Sequence, residues 1–166
     1  MDERADQPGI QPESKMESIE TILERAQKRA QQMNLPYRGA LSPAEAFALW
    51  QSVKGAQIVD VRTRAELDFV GHVPGALHIE WNHYPGGVRN ARFVEDLQLA
   101  VERSDAPVMF LCRSGNRSHY AAAVAAQLGY ASAFNILEGF EGNRDRQGHR
   151  NTVGGWRVAG LPWTQG

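Results

Sequence analysis

A chain of 166 residues, 42% of them hydrophobic, is long enough for one compact domain with its own core. Its formal net charge of -1 argues against bulk binding of nucleic acid, and no apolar run approaches the ~20 residues of a membrane span. The single cysteine, Cys112, excludes an internal disulfide and leaves cysteine-based metal sites without ligands, so neither a metal nor another cofactor is expected.

Residues 1–15 are polar, carry two prolines and show no periodicity, which predicts a disordered tail. This acidic start lacks the apolar stretch of a secretory leader, and a cytoplasmic location is expected. Over residues 16–33, Ile19, Ile22, Leu23, Ala26, Ala30 and Met33 line one face of a helix that Asn34-Leu35-Pro36 ends. Residues 16–36 thus read as a helical extension to a domain over 37–166. The apolar helix face must bury either on that domain or on a second copy of the chain, as a homodimer.

Ser42-Pro43-Ala44-Glu45 carries the N-cap, first-turn proline and capping-box glutamate of a helix running to about Val53. Residues 56–61 form a short apolar strand, residues 64–70 a turn of helix, and residues 76–79 another strand. Residues 81–90 read as loop, and Phe93, Val94, Leu97 and Val101 mark the next helix. Residues 107–111 are wholly apolar, as in the middle of a parallel sheet. An Ala-rich helix over 118–128 and a strand over 133–137 complete the pattern. Strands alternating with helices predict an α/β fold in three layers: a mostly parallel central sheet with helices on both faces, plus the extra N-terminal helix.

Ligands bind such sheets beyond the carboxyl ends of the strands, which is where Cys112 stands. The segment after it is Arg113-Ser114-Gly115-Asn116-Arg117-Ser118. Gly115 lets the loop curl with its N–H groups inward, Ser118 is placed to cap the next helix, and Arg113 and Arg117 add positive charge. The helix N-terminus contributes its dipole, and all these effects favour negative charge on the sulfur. Strand context alone is equally consistent with a buried structural cysteine; the polar, Gly-containing loop favours a reactive one.

Cys-x-x-Gly-x-Arg-Ser after an apolar strand resembles the active-site loop of the rhodanese family, particularly its single-domain members. Asp60-Val61-Arg62, Glu66 and Gly71-His72-Val73-Pro74-Gly75-Ala76 are similar to a second segment of that family, and Asn135-Ile136-Leu137-Glu138-Gly139 to its last strand and turn. The resemblance spans about residues 38–140 and implies a rhodanese-like fold and double-displacement sulfur transfer. Cys112 would take the outer sulfur of thiosulfate or a related small anionic donor as a persulfide. Cyanide, a thiol or a protein cysteine would then accept it. Arg113, Ser114, Gly115, Asn116, Arg117 and Ser118 would form the substrate cradle.

Arg62 and Glu66 stand four apart and read as an ion pair supporting their turn. Asp60 caps that turn or orients an active-site arginine, and the two readings are equal from sequence. His72 reads as a structural turn residue more readily than as a general base. Trp156 and Trp163 are expected to pack the C-terminal segment, and Trp81 is a weaker candidate for the pocket mouth. The polar, Arg- and Gly-rich segment at 141–153 departs from the family pattern as an insertion. Asn143, Asp145, Gln147 and Gly148 faintly resemble a calcium loop, but its terminal glutamate is missing. A solvated loop is the default reading. The sharper one is that its basic side chains flank the site and attract anionic donors or an acidic partner.

Two other functions compete. Cysteine phosphatases and arsenate reductases place Arg six positions after Cys, whereas Arg117 comes five after Cys112. A non-catalytic binding or regulatory module on the same fold would need no thiol in a complete loop.

Overall fold

The structure, a computed structural model, describes residues 17–166, so the tail expected over residues 1–15 lies outside it. The first helix, α1 (Ile19–Met33), is capped by Ser18, whose hydroxyl accepts from the Thr21 N–H at 3.1 Å, and it ends on left-handed Asn34. Strand β1 (Gly39–Leu41) follows, then α2 (Pro43–Ser52), β2 (Gln57–Asp60), α3 (Arg64–Phe69) and β3 (Leu77–His78). The chain continues through α4 (Phe93–Ala100), β4 (Val108–Leu111), α5 (Asn116–Gln127) and β5 (Ala133–Ile136). All five strands are parallel, in the order β1-β5-β4-β2-β3.

The sheet has a core on each face because alternate strand residues point to opposite sides. Val108 and Phe110 of β4 join Val59, Phe93, Leu97, Ala121 and Ala125 on the side of α4 and α5. Met109 and Leu111 join Ile22, Ala26, Leu49, Ile58, Phe134 and Trp156 on the side of α1 and α2. The expected three layers are present, and the sheet is wholly parallel.

Of the two places open to the α1 face, the chain's own domain takes it. Ile22, Ala26 and Ala30 are buried against β1, and a Cβ at Gly39 would lie 2.9 Å from the Ala26 Cβ. Ion pairs from Arg29 (2.6 Å) and Arg25 (2.5 Å) to Glu45 fasten the helix to the start of α2. Glu45 also closes the expected capping box, accepting from the Ser42 N–H at 2.8 Å.

Beyond β5 the chain packs back over the sheet. Trp156 is fully buried and donates from its indole to the Pro162 carbonyl at 2.8 Å, while Trp163 stays partly exposed beside Arg157. His72 forms a two-bond backbone bridge with Thr164 (2.8 and 2.9 Å). Among the described residues no helix is long and apolar enough to cross a membrane.

Gly39→Val forces branched carbon into the α1 backbone and is expected to cost about 1–3 kcal/mol of stability, read as a lower urea midpoint. An unchanged midpoint would mean that α1 does not pack on β1 as described.

Candidate active site

Register aligns Asp60 at the end of β2 with Leu111 at the end of β4, and Cys112 is the next residue of the chain. Cys112 is 1% exposed, and its Sγ accepts from the Gly115 N–H at 3.1 Å. Gly115 makes this turn at φ +106°, a region costly for any side chain, and leads directly into α5. The outside of the loop is clasped: the Phe140 N–H donates to the Cys112 carbonyl (2.8 Å) and the Glu141 N–H to the Arg113 carbonyl (2.9 Å). Gly139 makes that approach feasible, since a Cβ there would sit 2.5 Å from both carbonyl oxygens and its φ is +65°.

Ser118 does not cap the helix as expected. The helix starts two residues earlier, at Asn116, because the Gly115 turn already delivers the chain into it; Ser118 is buried in its first turn. Its hydroxyl donates to Asn135 Oδ1 at 2.6 Å and lies 3.2 Å from Cys112 Sγ. Asn135 Nδ2 donates to the Gly115 carbonyl at 3.2 Å, which fixes the direction of the amide. With its one proton given to Asn135, the hydroxyl turns its lone pairs to the sulfur. Asn135, on β5, was missed as a site residue: strand pattern marks it as sheet, and nothing local ties it to a loop 20 residues away.

The expected Arg62–Glu66 pair is also absent. Arg62 instead pairs with Asp60, both buried, with Nη2–Oδ2 at 2.6 Å and a further bond to the Gly71 carbonyl at 2.9 Å. The Arg62 guanidinium lies 4.2 Å from the Phe140 ring centroid, so the pair braces the residue that clasps Cys112. Asp60 caps the turn, its Oδ1 accepting from the Arg62 N–H at 3.0 Å, and the arginine it orients, Arg62, has no contact to the sulfur. Glu66 binds Arg117 edge-on at 2.7 and 2.9 Å and closes a capping box with Thr63. Burial would raise the Glu66 carboxyl, but Arg117 and the Thr63 N–H outweigh it and hold it at about 2. Burial likewise opposes the charge of Arg117, and the Glu66 pair overcomes this to raise its pKa. The guanidinium is therefore committed to a partner that four-residue spacing rules do not reveal.

Arg113 and Asn116 are exposed, and Ser114 is half-buried on the rim. Arg113 and Arg117 line a cleft of about 1030 Å³ whose walls come from α3, residues 82–87 and residues 148–151. Trp81 is not at its mouth: the ring is buried against Phe93, with Arg89 stacked 3.6 Å from its centroid, and Asn82, His83 and Tyr84 line the cleft instead. In the 141–153 segment, Asp145 accepts from the Gln147 and His149 N–H groups (2.9 Å each) and from the Thr152 hydroxyl (2.8 Å), which makes it the pivot of a turn. Among the described residues no cluster of three or more His, Cys, Asp or Glu could hold a metal.

A family model for the Rhodanese-like domain matches residues 44–145. The thiosulfate sulfurtransferase GlpE of Pseudomonas entomophila is 35% identical over 101 residues, covering 61% of this chain and 80% of that protein. Protein RC0915 of Rickettsia conorii is 34% identical over 125 residues, 72% of this chain and 91% of its own. The crystal structure of Rv0390 from M. tuberculosis superposes with a TM-score of 0.72 at 42% identity, covering 78% of this chain and 99% of that one.

Two measurements check this geometry. Glu66 and Glu45, both held at about 2, contribute stability that is present above the unfolded carboxyl range near 4.3 and lost as pH falls toward 2. Glu66→Gln is expected to flatten the acid limb of a stability–pH curve, and an unaltered limb would contradict the Arg117 pairing. Asn135→Ala removes the acceptor of the Ser118 hydroxyl and the donor to the Gly115 carbonyl and is expected to cost roughly 1–3 kcal/mol in denaturant unfolding.

Proposed function

The chain belongs to the rhodanese-like domain family, and from that footing we propose that it is a sulfurtransferase carrying sulfane sulfur as a persulfide on Cys112. The observation that carries the reading is the Sγ environment: a buried sulfur at a strand end that accepts from the Gly115 N–H at 3.1 Å. Amide donors fixed by the fold stabilise developing anionic sulfur without reorganisation at the moment of reaction.

In the loading step the Cys112 thiolate attacks the outer sulfur of thiosulfate or a related anionic donor. The new S–S bond forms as the donor's S–S bond breaks, and sulfite leaves with that electron pair. In unloading, a nucleophilic acceptor (cyanide, a thiol or a protein cysteine) attacks the outer persulfide sulfur and the electrons return to Cys112. Sulfite and thiolate are stable anions, so neither step needs a general acid, and a cradle for negative charge suffices. Arg113 meets the donor at the rim, Ser114, Gly115 and Asn116 shape the turn, and Ser118 contacts the sulfur. Arg117 holds the loop to α3 through Glu66. That commitment disfavours a phosphatase, whose arginine must be free to grip a tetrahedral oxyanion.

Intact-protein mass after incubation with thiosulfate tests the proposal. The wild type is expected to gain one sulfur atom, lost again on adding cyanide, and Cys112→Ala to gain none. No gain from thiosulfate, mercaptopyruvate or a persulfide donor would sink the reading, as would turnover of an aryl phosphate abolished by Cys112→Ser.

A further inference from the structure

The cleft beside Cys112 is larger than the proposed small reactants need. Pockets of roughly 300–1,000 Å³ take ligands of drug size, and this one reaches about 1030 Å³, whereas thiosulfate and cyanide are a few atoms each. Phe69 and Tyr84 line it yet stand 78% and 71% exposed, an apolar rim that a small anion does not use.

Its charge is positive on balance, with Arg113, Arg117 and Arg150 in the lining against Glu66 and Glu141. On the floor, Glu66 cancels Arg117, leaving Arg113 without a carboxylate partner among the described residues. On the facing wall, Arg150 is opposed first by its burial and then by the charges of Arg113 and Arg144, with Glu141 a lesser counterweight. Arg113 and Arg150 thus line the cleft from two sides, Arg144 on the segment that carries Arg150 adds its charge from outside the lining, and no ion pair among the described residues relieves any of the three. The wall is also preformed. Asp145 ties residues 147, 149 and 152 together, and Arg150 donates to the Gly142 carbonyl at 2.7 Å. A preorganised surface loses little entropy when a partner lands.

We propose that this cleft docks an acidic, extended polypeptide segment whose cysteine accepts the sulfur from Cys112. The inference rests on the persulfide reading above and names the class of acceptor. The acceptor's thiolate attacks the outer sulfur, a bond forms between the two, and the Cys112 S–S bond breaks with its electron pair passing to the Cys112 sulfur. The outer sulfur departs on the acceptor as a persulfide. Carboxylates of the segment lie along Arg113 and Arg150, with Arg144 adding to the attracting field, and its apolar side chains meet Phe69 and Tyr84.

The probes are two short peptides with one central cysteine, flanked by glutamates or by lysines, together with serine-for-cysteine versions of each. Transfer from the sulfur-loaded protein is measured at low and high salt. Each rate is divided by that from a small persulfide in solution, which removes intrinsic thiol reactivity. The glutamate peptide is expected to lead by about tenfold or more at low salt and to lose that lead at high salt. Arg144→Glu is expected to cut the lead severalfold without altering loading by thiosulfate, and Arg144→Lys to retain it. Equal normalised rates for the two peptides, or a lead unchanged in Arg144→Glu, would overturn the proposal. Fluorescence anisotropy of the serine peptides on the unloaded protein tests docking even if loading fails: preferential binding of the glutamate peptide supports it, and equal binding refutes it.

Discussion

Two backbone hydrogen bonds, from the Phe140 and Glu141 N–H groups to the Cys112 and Arg113 carbonyls, decide which way the peptide planes of the sulfur loop face. A trans peptide points its N–H opposite its carbonyl. With the 112 and 113 carbonyls turned to the clasping segment, the N–H groups of Arg113 and Ser114 face away from it. The clasp in turn depends on Gly139, and on Phe140 being held in place beneath the Arg62 guanidinium. Arg62 and Asp60 are both almost fully buried, and desolvating two charges costs several kcal/mol per ion unless they stay paired. Removing one partner typically costs 3–5 kcal/mol, so the pair's consequence for the site is rigidity transmitted through Phe140, with no direct contact to sulfur.

Charge in the site is divided by the same logic. The residue that sequence places nearest the role of an anion-gripping arginine, Arg117, spends its fork on Glu66, and the bidentate geometry fixes the start of α5 against α3. What remains for the sulfur is a neutral donor, the Gly115 N–H, and a rim cation. A neutral donor would suit the alternation between thiol, thiolate and persulfide proposed for Cys112, because its placement does not hinge on one charge state. The Ser118–Asn135 link fastens the loop to β5 as well as to β4.

Much of this architecture is legible in the sequence where one local rule dominates. The capping box opened by Ser42 forms as local chemistry dictates, and the apolar run ending at Leu111 is indeed the central strand. Strand β1 escaped because Gly-Ala-Leu is too short for alternation and weak in strand propensity; only burial under α1 makes it sheet. The start of α5 was misplaced because Ser118 has the chemistry of a cap, while Gly115 performs the turn by conformation alone. Partner choice was the least legible feature. Arg62 lies two residues from Asp60 and four from Glu66, and the spacing rule applies only if all three share a helix. Asp60 ends a strand and Arg62 lies in the turn after it, so the rule does not apply there, and Glu66 is free to meet Arg117 from 51 residues away.

The 141–153 segment leaves the domain at Gly142 and returns at Gly154 and Gly155, where a Cβ on Gly142 or Gly155 would run into the backbone of the other limb and one on Gly154 into the Glu138 carboxylate. A loop that departs and rejoins at one neck can change in length and charge without moving what lies beneath it. Here the neck adjoins the clasp, since Glu141 both donates to the Arg113 carbonyl and accepts from the Asn151 N–H at 2.8 Å. The geometry that holds the sulfur and the surface proposed to meet a partner are therefore physically adjacent yet built from separate interactions. The first is fixed by buried backbone bonds that tolerate little variation. The second is fixed by exposed charge, whose effect reaches about a Debye length and is tuned residue by residue. On the proposed function, such a division would let one sulfur-holding loop serve different acceptors as its neighbouring wall changes.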